Sequence, residues 1–124
     1  MVHKDFHGRH ILVVEDEYLI ADDVRMALEE AGAEVLGPVA SIKDAEELIS
    51  SSAMIDAALL DVNVRGEQIF AVADQLADRG VPFVFATGYD QASIPDRYRD
   101  RPCLEKPIRA RQIASILSPL LRIT

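Results

Sequence analysis

Four short apolar runs in this chain each stop at a polar group: Ile11 to Val14 at Glu15 and Asp16, Ile55 to Leu60 at Asp61, Phe83 to Ala86 at Thr87, and Cys103 to Glu105 at Lys106. Runs of this length read as strands buried on both faces, the habit of parallel sheets covered by helices. If the four are parallel, their polar ends fall on one edge of one sheet. Open α/β sheets bind ligands beyond the carboxyl ends of their strands. The pattern predicts a site of carboxylates, a hydroxyl and an ammonium, a set suited to a divalent metal and a phosphoryl group.

Between these runs the apolar spacing changes to that of helices, giving a succession of βα units and no internal repeat. A helix is expected from about Tyr18 to Ala31, with Ile20, Val24, Ala27 and Ala31 on one face and Gly32 as its stop. A strand from Glu34 to Val39 follows. Ser41, with Asp44 three residues on, resembles a capping box for a helix whose inner face is Ile42, Ala45, Leu48 and Ile49. A third helix turns Ile69, Val72, Ala73 and Leu76 inward and closes at Gly80, and the last carries Ile113, Ile116, Leu117 and Leu120, with Pro119 near its end.

The stretch from Gly88 to Pro102 contains Pro95 and few apolar residues, so a short or mobile fourth helix is expected there. Arg97, Arg99 and Arg101 read as a patch facing solvent or a partner. The fold class is α/β, a doubly wound five-stranded parallel sheet.

At 124 residues and 13.7 kDa the chain has room for one domain, 1–124, with about the first nine residues read as a flexible segment. Its 13 basic against 21 acidic residues, net charge −8, offer no basic stripe to neutralise a phosphate backbone, which argues against nucleic acid as a partner. No apolar run approaches the roughly 20 residues of a membrane span. The start lacks the apolar stretch of a secretion signal, and a single cysteine cannot make an internal disulfide. A cytoplasmic location is expected.

Any one strand-end carboxylate could be only a helix N-cap. Crowding three together sets like charges against each other, which makes sense if a divalent ion sits among them. Oxygen ligands, few in number, point to Mg²⁺ with water completing the shell. Asp61 is the candidate nucleophile, because carboxylates attack phosphorus to give aspartyl phosphates. Lys106 supplies a matching point charge next to Pro107, and Thr87, beside Gly88, can donate to a phosphoryl oxygen.

In their order, the segments LVVED, LLDVN, FATG and EKP resemble the motifs of two-component response-regulator receiver domains, and the likeness covers nearly the whole chain. It implies a flavodoxin-like fold in which Asp61 takes a phosphoryl group from a sensor histidine kinase or a phosphotransfer protein. Glu15 and Asp16, with Asp61 and the backbone carbonyl of Asn63, would hold Mg²⁺. Thr87 and Lys106 would be the switch hydroxyl and the phosphate-binding lysine. Signalling would pass through contacts with a downstream protein.

Pro82 to Tyr89 is also similar to the signature of the FAT GUY receivers, often stand-alone and often paired with kinases of the HWE type. The chain departs from the commoner pattern at Cys103, where an aromatic residue usually stands three positions before the lysine. Tyr89 is a candidate substitute for that ring. No output domain is expected after the receiver, so an effect through a partner, a phosphorelay or competition for phosphate is expected.

Two other functions compete. A metal-dependent phosphohydrolase that forms an aspartyl phosphate needs an aspartate two residues after the nucleophile, where this chain has Asn63. A pseudo-receiver that only binds would have lost site residues, and none of the expected set is missing.

Overall fold

The apolar runs pair side by side. In the computed structural model, which describes residues 6–88 and 94–121, the chain runs β1 (His10–Val14), α1 (Tyr18–Glu30), β2 (Glu34–Val39), α2 (Ile42–Ser51) and β3 (Ala57–Asp61). It continues with β4 (Asn63–Val64), β5 (Glu67–Gln68), α3 (Phe70–Asp78), β6 (Phe83–Thr87), β7 (Cys103–Glu105) and α4 (Ala110–Leu120). Five strands form one parallel sheet in the order β2-β1-β3-β6-β7. Chain progression reverses between β1 and β3, and that switch point opens the crevice where α/β sheets bind ligands.

Alternation along β1 divides the core in two. Leu12 and Val14 join Ala58, Leu60, Phe83 and Phe85 beneath α2 and α3, whereas Ile11 and Val13 join Ala57, Leu59 and Val84 beneath α1 and α4. Burial of each large aliphatic side chain contributes about 1.5–3 kcal/mol before entropy is counted. The helical faces read from the sequence meet this core: Val24, Ala45, Ile49, Val72, Ala73, Leu76, Ile113 and Leu117 are all buried. Ser41 Oγ accepts the Asp44 N–H at 3.1 Å, the N-cap contact its position predicts. Across the helical layer, Arg79 donates to the carbonyls of Ile49 at 2.7 Å and Ser52 at 2.8 Å, placing a cation on the carbonyl end of α2.

Two expectations change and one element is new. The N-terminal segment is docked from Phe6 onward: its ring is 1% exposed in the α1/α4 core, and its N–H donates to the Ala31 carbonyl. One aromatic ring reaching the core outweighs the polar residues around it. Secondly, Asn63–Gln68 forms a small antiparallel hairpin with Arg65 and Gly66 at its tip, φ +52° and +81°. Two successive left-handed residues define the tight turn that matches strand twist.

Thirdly, the described part of the connection before β7, residues 94–102, carries a 3₁₀ turn at Asp96–Tyr98 and is anchored rather than loose. Tyr98 is 5% exposed and packs among Phe70, Phe83 and Phe85, while its hydroxyl donates to Asp74 of α3. The arginines are engaged too. Arg97 donates twice to Asp74, Arg99 pairs with Asp96, and Arg101 lies over the Phe83 ring with its guanidinium carbon 4.3 Å from the centroid. Sequence spacing showed the charges but not the rings they cover. Tyr89 lies outside the described residues.

Candidate functional site

Each side chain of the predicted set is delivered by a strand end. Glu15 follows β1, fixed by its N–H donating to Val39 at 3.0 Å, and Asp61 closes β3 in register with Ala86. Thr87 closes β6, one residue beyond Ala86. The Lys106 N–H donates to the Thr87 carbonyl at 2.8 Å, extending the β6 and β7 pairing by one residue and placing the lysine at the same edge.

The Lys106 ammonium then bridges the cluster, 3.0 Å from Glu15 Oε1 and 3.2 Å from Asp61 Oδ2, with Glu17 Oε1 at 3.5 Å. Glu15, Asp16 and Asp61 each bring one oxygen within 4.8 Å of the others. The turn after β1 is what lets adjacent residues Glu15 and Asp16 both reach the site. Asp61 Oδ1 accepts the Asn63 N–H at 3.4 Å, and Asp16 Oδ2 accepts the Arg65 N–H at 2.9 Å from the hairpin tip. Thr87 is buried, with its hydroxyl 3.7 Å from Cys103 Sγ. Thus Glu15, Asp16, Asp61 and Lys106 meet through side chains, Asn63 touches through its backbone, and Thr87 lines the adjoining strand end.

Burial and charge work against each other here. Desolvation, reinforced by neighbouring Glu15, pushes Asp61 up to about 8, against the pull of Lys106. Burial likewise opposes the charged form of Lys106, but its contacts with Glu15 and Asp61 outweigh it and hold the ammonium above its ordinary value. Burial also opposes ionisation of the more open Asp16, and is outweighed by the Arg65 N–H and by hydrogen bonds with Asp61 and Glu15, which hold it below the usual carboxylate range. Three acids therefore converge beside a lysine that touches two of them, a donor set that could hold a divalent cation. Glu15 Oε1, fully shielded from solvent, has an ion-pair neighbour in Lys106 but no well-aligned hydrogen-bond donor. Such an orphaned oxygen fits a cation better than a purely protein-satisfied pocket.

Sequence reasoning missed Arg65. The available signal was Arg65-Gly66 between two short extended pairs, a hairpin tip of unfavoured composition.

No family model matches the chain. It is 44% identical to SdrG from Sphingomonas melonis Fr1, over 91% of this chain and 96% of that one, with a TM-score of 0.81. Against the BeF3-activated conformation of SdrG the identity is 41%, over 98% and 99% of the two chains, with a TM-score of 0.76. Among curated proteins it is 28% identical to the transcriptional regulatory protein PdtaR of Mycobacterium tuberculosis, over 88% of this chain and 53% of that protein. It is 29% identical to the phyllosphere-induced regulator PhyR of Methylorubrum extorquens, over 90% and 43%. The chain spans about half the length of the curated relatives it matches. A doubly wound sheet with this acidic edge defines a phosphoacceptor signalling domain, and the chain belongs to the response-regulator receiver family.

Proposed function

We propose that Asp61 is the phosphoacceptor, with Glu15 and Asp16 as its metal-holding carboxylates and Lys106 as its counter-charge. The observation that carries this reading is the convergence of three carboxylate oxygens within 4.8 Å beside a lysine that touches two of them, at the switch point of the sheet. An Asp61 oxygen attacks phosphorus of a phosphohistidine. The new O–P bond forms as the N–P bond breaks, and the imidazole leaves with the electron pair. Lys106, held at the site by Thr87 and drawn by Glu15, pairs with a phosphoryl oxygen once Asp61 is modified.

Mg²⁺, the ion this oxygen donor set suits, would be held by Glu15, Asp16 and Asp61 with the Asn63 carbonyl, and would supply neutralising charge on the transferring group. Thr87 supplies the hydroxyl that reports phosphorylation to the residues after Gly88. The BeF3-activated conformation of a 41% identical relative supports a phosphoryl-responsive site. The donor is a sensor histidine kinase, of the HWE type by the likeness of Pro82 to Tyr89, or a phosphotransfer protein, and a protein receives the signal in the cytoplasm. Among the described residues no helix is long and apolar enough to cross a membrane.

Incubation with acetyl phosphate and Mg²⁺ is expected to add one phosphoryl group per chain and to add none to Asp61→Asn. Equal labelling of that variant would reject the assignment.

A further inference from the structure

Arg65 stands out as a residue that its own backbone disfavours. With φ at +52° it occupies the first tip position of a two-residue hairpin turn, where Asn, Asp and Gly are favoured because they tolerate the left-handed region. Its role through the main chain, the N–H to Asp16, could be filled by any residue other than proline. Strain of this kind, retained where a smaller residue would relieve it, points from an observed outlier to a task for the side chain.

Arg65 lines a cleft of about 450 Å³ together with Glu15, Asp16, Tyr18, Asp22 and Arg25. The two arginines differ in availability. Arg25 is clamped between Asp22 and Glu29, at 2.7 Å to each, whereas among the described residues the Arg65 guanidinium has no ion-pair partner. Around it the field is acidic: Glu15, Glu17 and Asp61 share Lys106, and Asp16 lies beside Glu15 and Asp61. An incoming phosphodonor is itself an anion, so its approach is opposed until it reaches Lys106. A cation at the rim lowers that barrier at a distance.

Building on the assignment of Asp61 as phosphoacceptor, we propose that Arg65 is a donor-steering residue, whose unpaired guanidinium at the hairpin tip draws anionic phosphoryl donors toward the carboxylate site. It takes no part in bond making. With acetyl phosphate the Asp61 oxygen-to-phosphorus bond forms as the phosphorus-oxygen bond to acetate breaks, and acetate leaves with the electron pair.

The test measures phosphorylation rates of the full chain with Mg²⁺, using acetyl phosphate and the less negative phosphoramidate, at low and at high ionic strength. Arg65→Gln is expected to slow acetyl phosphate about two- to fivefold at low salt, the scale of one charge acting across several ångströms. The defect should shrink with phosphoramidate, vanish near about 1 M salt, where the screening length is about 3 Å, and be largely restored in Arg65→Lys. Arg65→Asn separates steering from folding, because relief of the left-handed strain should raise its melting midpoint while its rate still falls. Arg65→Gln and Arg65→Asn reacting as fast as wild type at low salt, or slowing equally at every salt concentration and with both donors, would overturn the proposal. Labelling of an Asp61→Asn control would instead overturn the phosphoacceptor assignment beneath it.

Discussion

Two groups of charged side chains in this domain obey opposite rules. At the sheet edge, Glu15, Asp16 and Asp61 crowd together with Lys106 touching Glu15 and Asp61, and burial with a neighbouring like charge pushes Asp61 up to about 8. On α3 and the segment before β7, Asp74 faces the Tyr98 hydroxyl and the Arg97 guanidinium, and the Tyr98 hydrogen bond, aided by Arg97, holds Asp74 below the usual carboxylate range. The first cluster has more acid than its surroundings can satisfy; the second is matched and capped by aromatic rings. The difference separates the cluster proposed to receive a cation and a phosphoryl group from one that holds the chain in place.

The strongest way to break this comparison is to remove the ring that organises the matched cluster. Tyr98→Ala deletes a side chain packed against Phe70, Phe83 and Phe85, and large-to-small aromatic changes in cores cost about 3–5 kcal/mol. Denaturant melts should show that loss. Amide exchange at Arg99 and Arg101, whose N–H groups donate to the Asp96 and Tyr98 carbonyls, should speed up more than exchange in β1. A loss of less than about 1 kcal/mol would mean that the ring does not anchor the segment.

Removing charge from the crowded cluster should do the reverse. Asp61→Asn is expected to stabilise the metal-free protein by about 1–3 kcal/mol, the scale of relieved like-charge contacts, whereas Asp16→Asn, which removes a carboxylate held below its usual range, should give no such gain. The sign of the pH effect follows from Asp61 binding its proton more tightly folded than unfolded. Its contribution is fully present below the ordinary carboxylate range and is lost as pH rises through about 8, so the metal-free wild type should weaken across that window. Asp61→Asn should flatten the profile, and Mg²⁺ should stabilise wild type more than either variant. A wild-type protein that gains stability from pH 5 to 8 without metal would contradict the strained-site picture.

The mildest change tests the matched cluster by one atom. Tyr98→Phe keeps the ring and loses the hydroxyl that Asp74 accepts, an interaction worth about 1 kcal/mol net. A denaturation midpoint indistinguishable from wild type would show that packing alone fixes Tyr98.

The strand-end positions of Glu15, Asp61, Thr87 and Lys106 were legible in the chain because a buried parallel strand must be apolar throughout and can turn polar only where it leaves the sheet. The same periodicities exposed the helical faces and the stops at Gly32 and Gly80. Asn63 entered only through the family resemblance, as a backbone carbonyl, and the contact the structure shows is its main-chain N–H donating to Asp61 Oδ1. The docking of Phe6 was not legible. A lone aromatic among polar residues carries no period, and only the gap between α1 and α4 shows where it goes.

By itself, then, the sequence determined the order of elements, the sheet class and the chemical inventory of the site, all of which depend on local pattern and chain direction. Tertiary structure alone decided the rest. What Arg97 and Arg101 contact depends on Asp74 and Phe83, 23 and 18 positions earlier in the chain, which folding brings beneath them. That Arg25 is held by Asp22 and Glu29 while Arg65, among the described residues, has no ion-pair partner is equally a matter of folded geometry. Charge pairing and desolvation act across a few ångströms of space, a distance that separation along the chain does not encode.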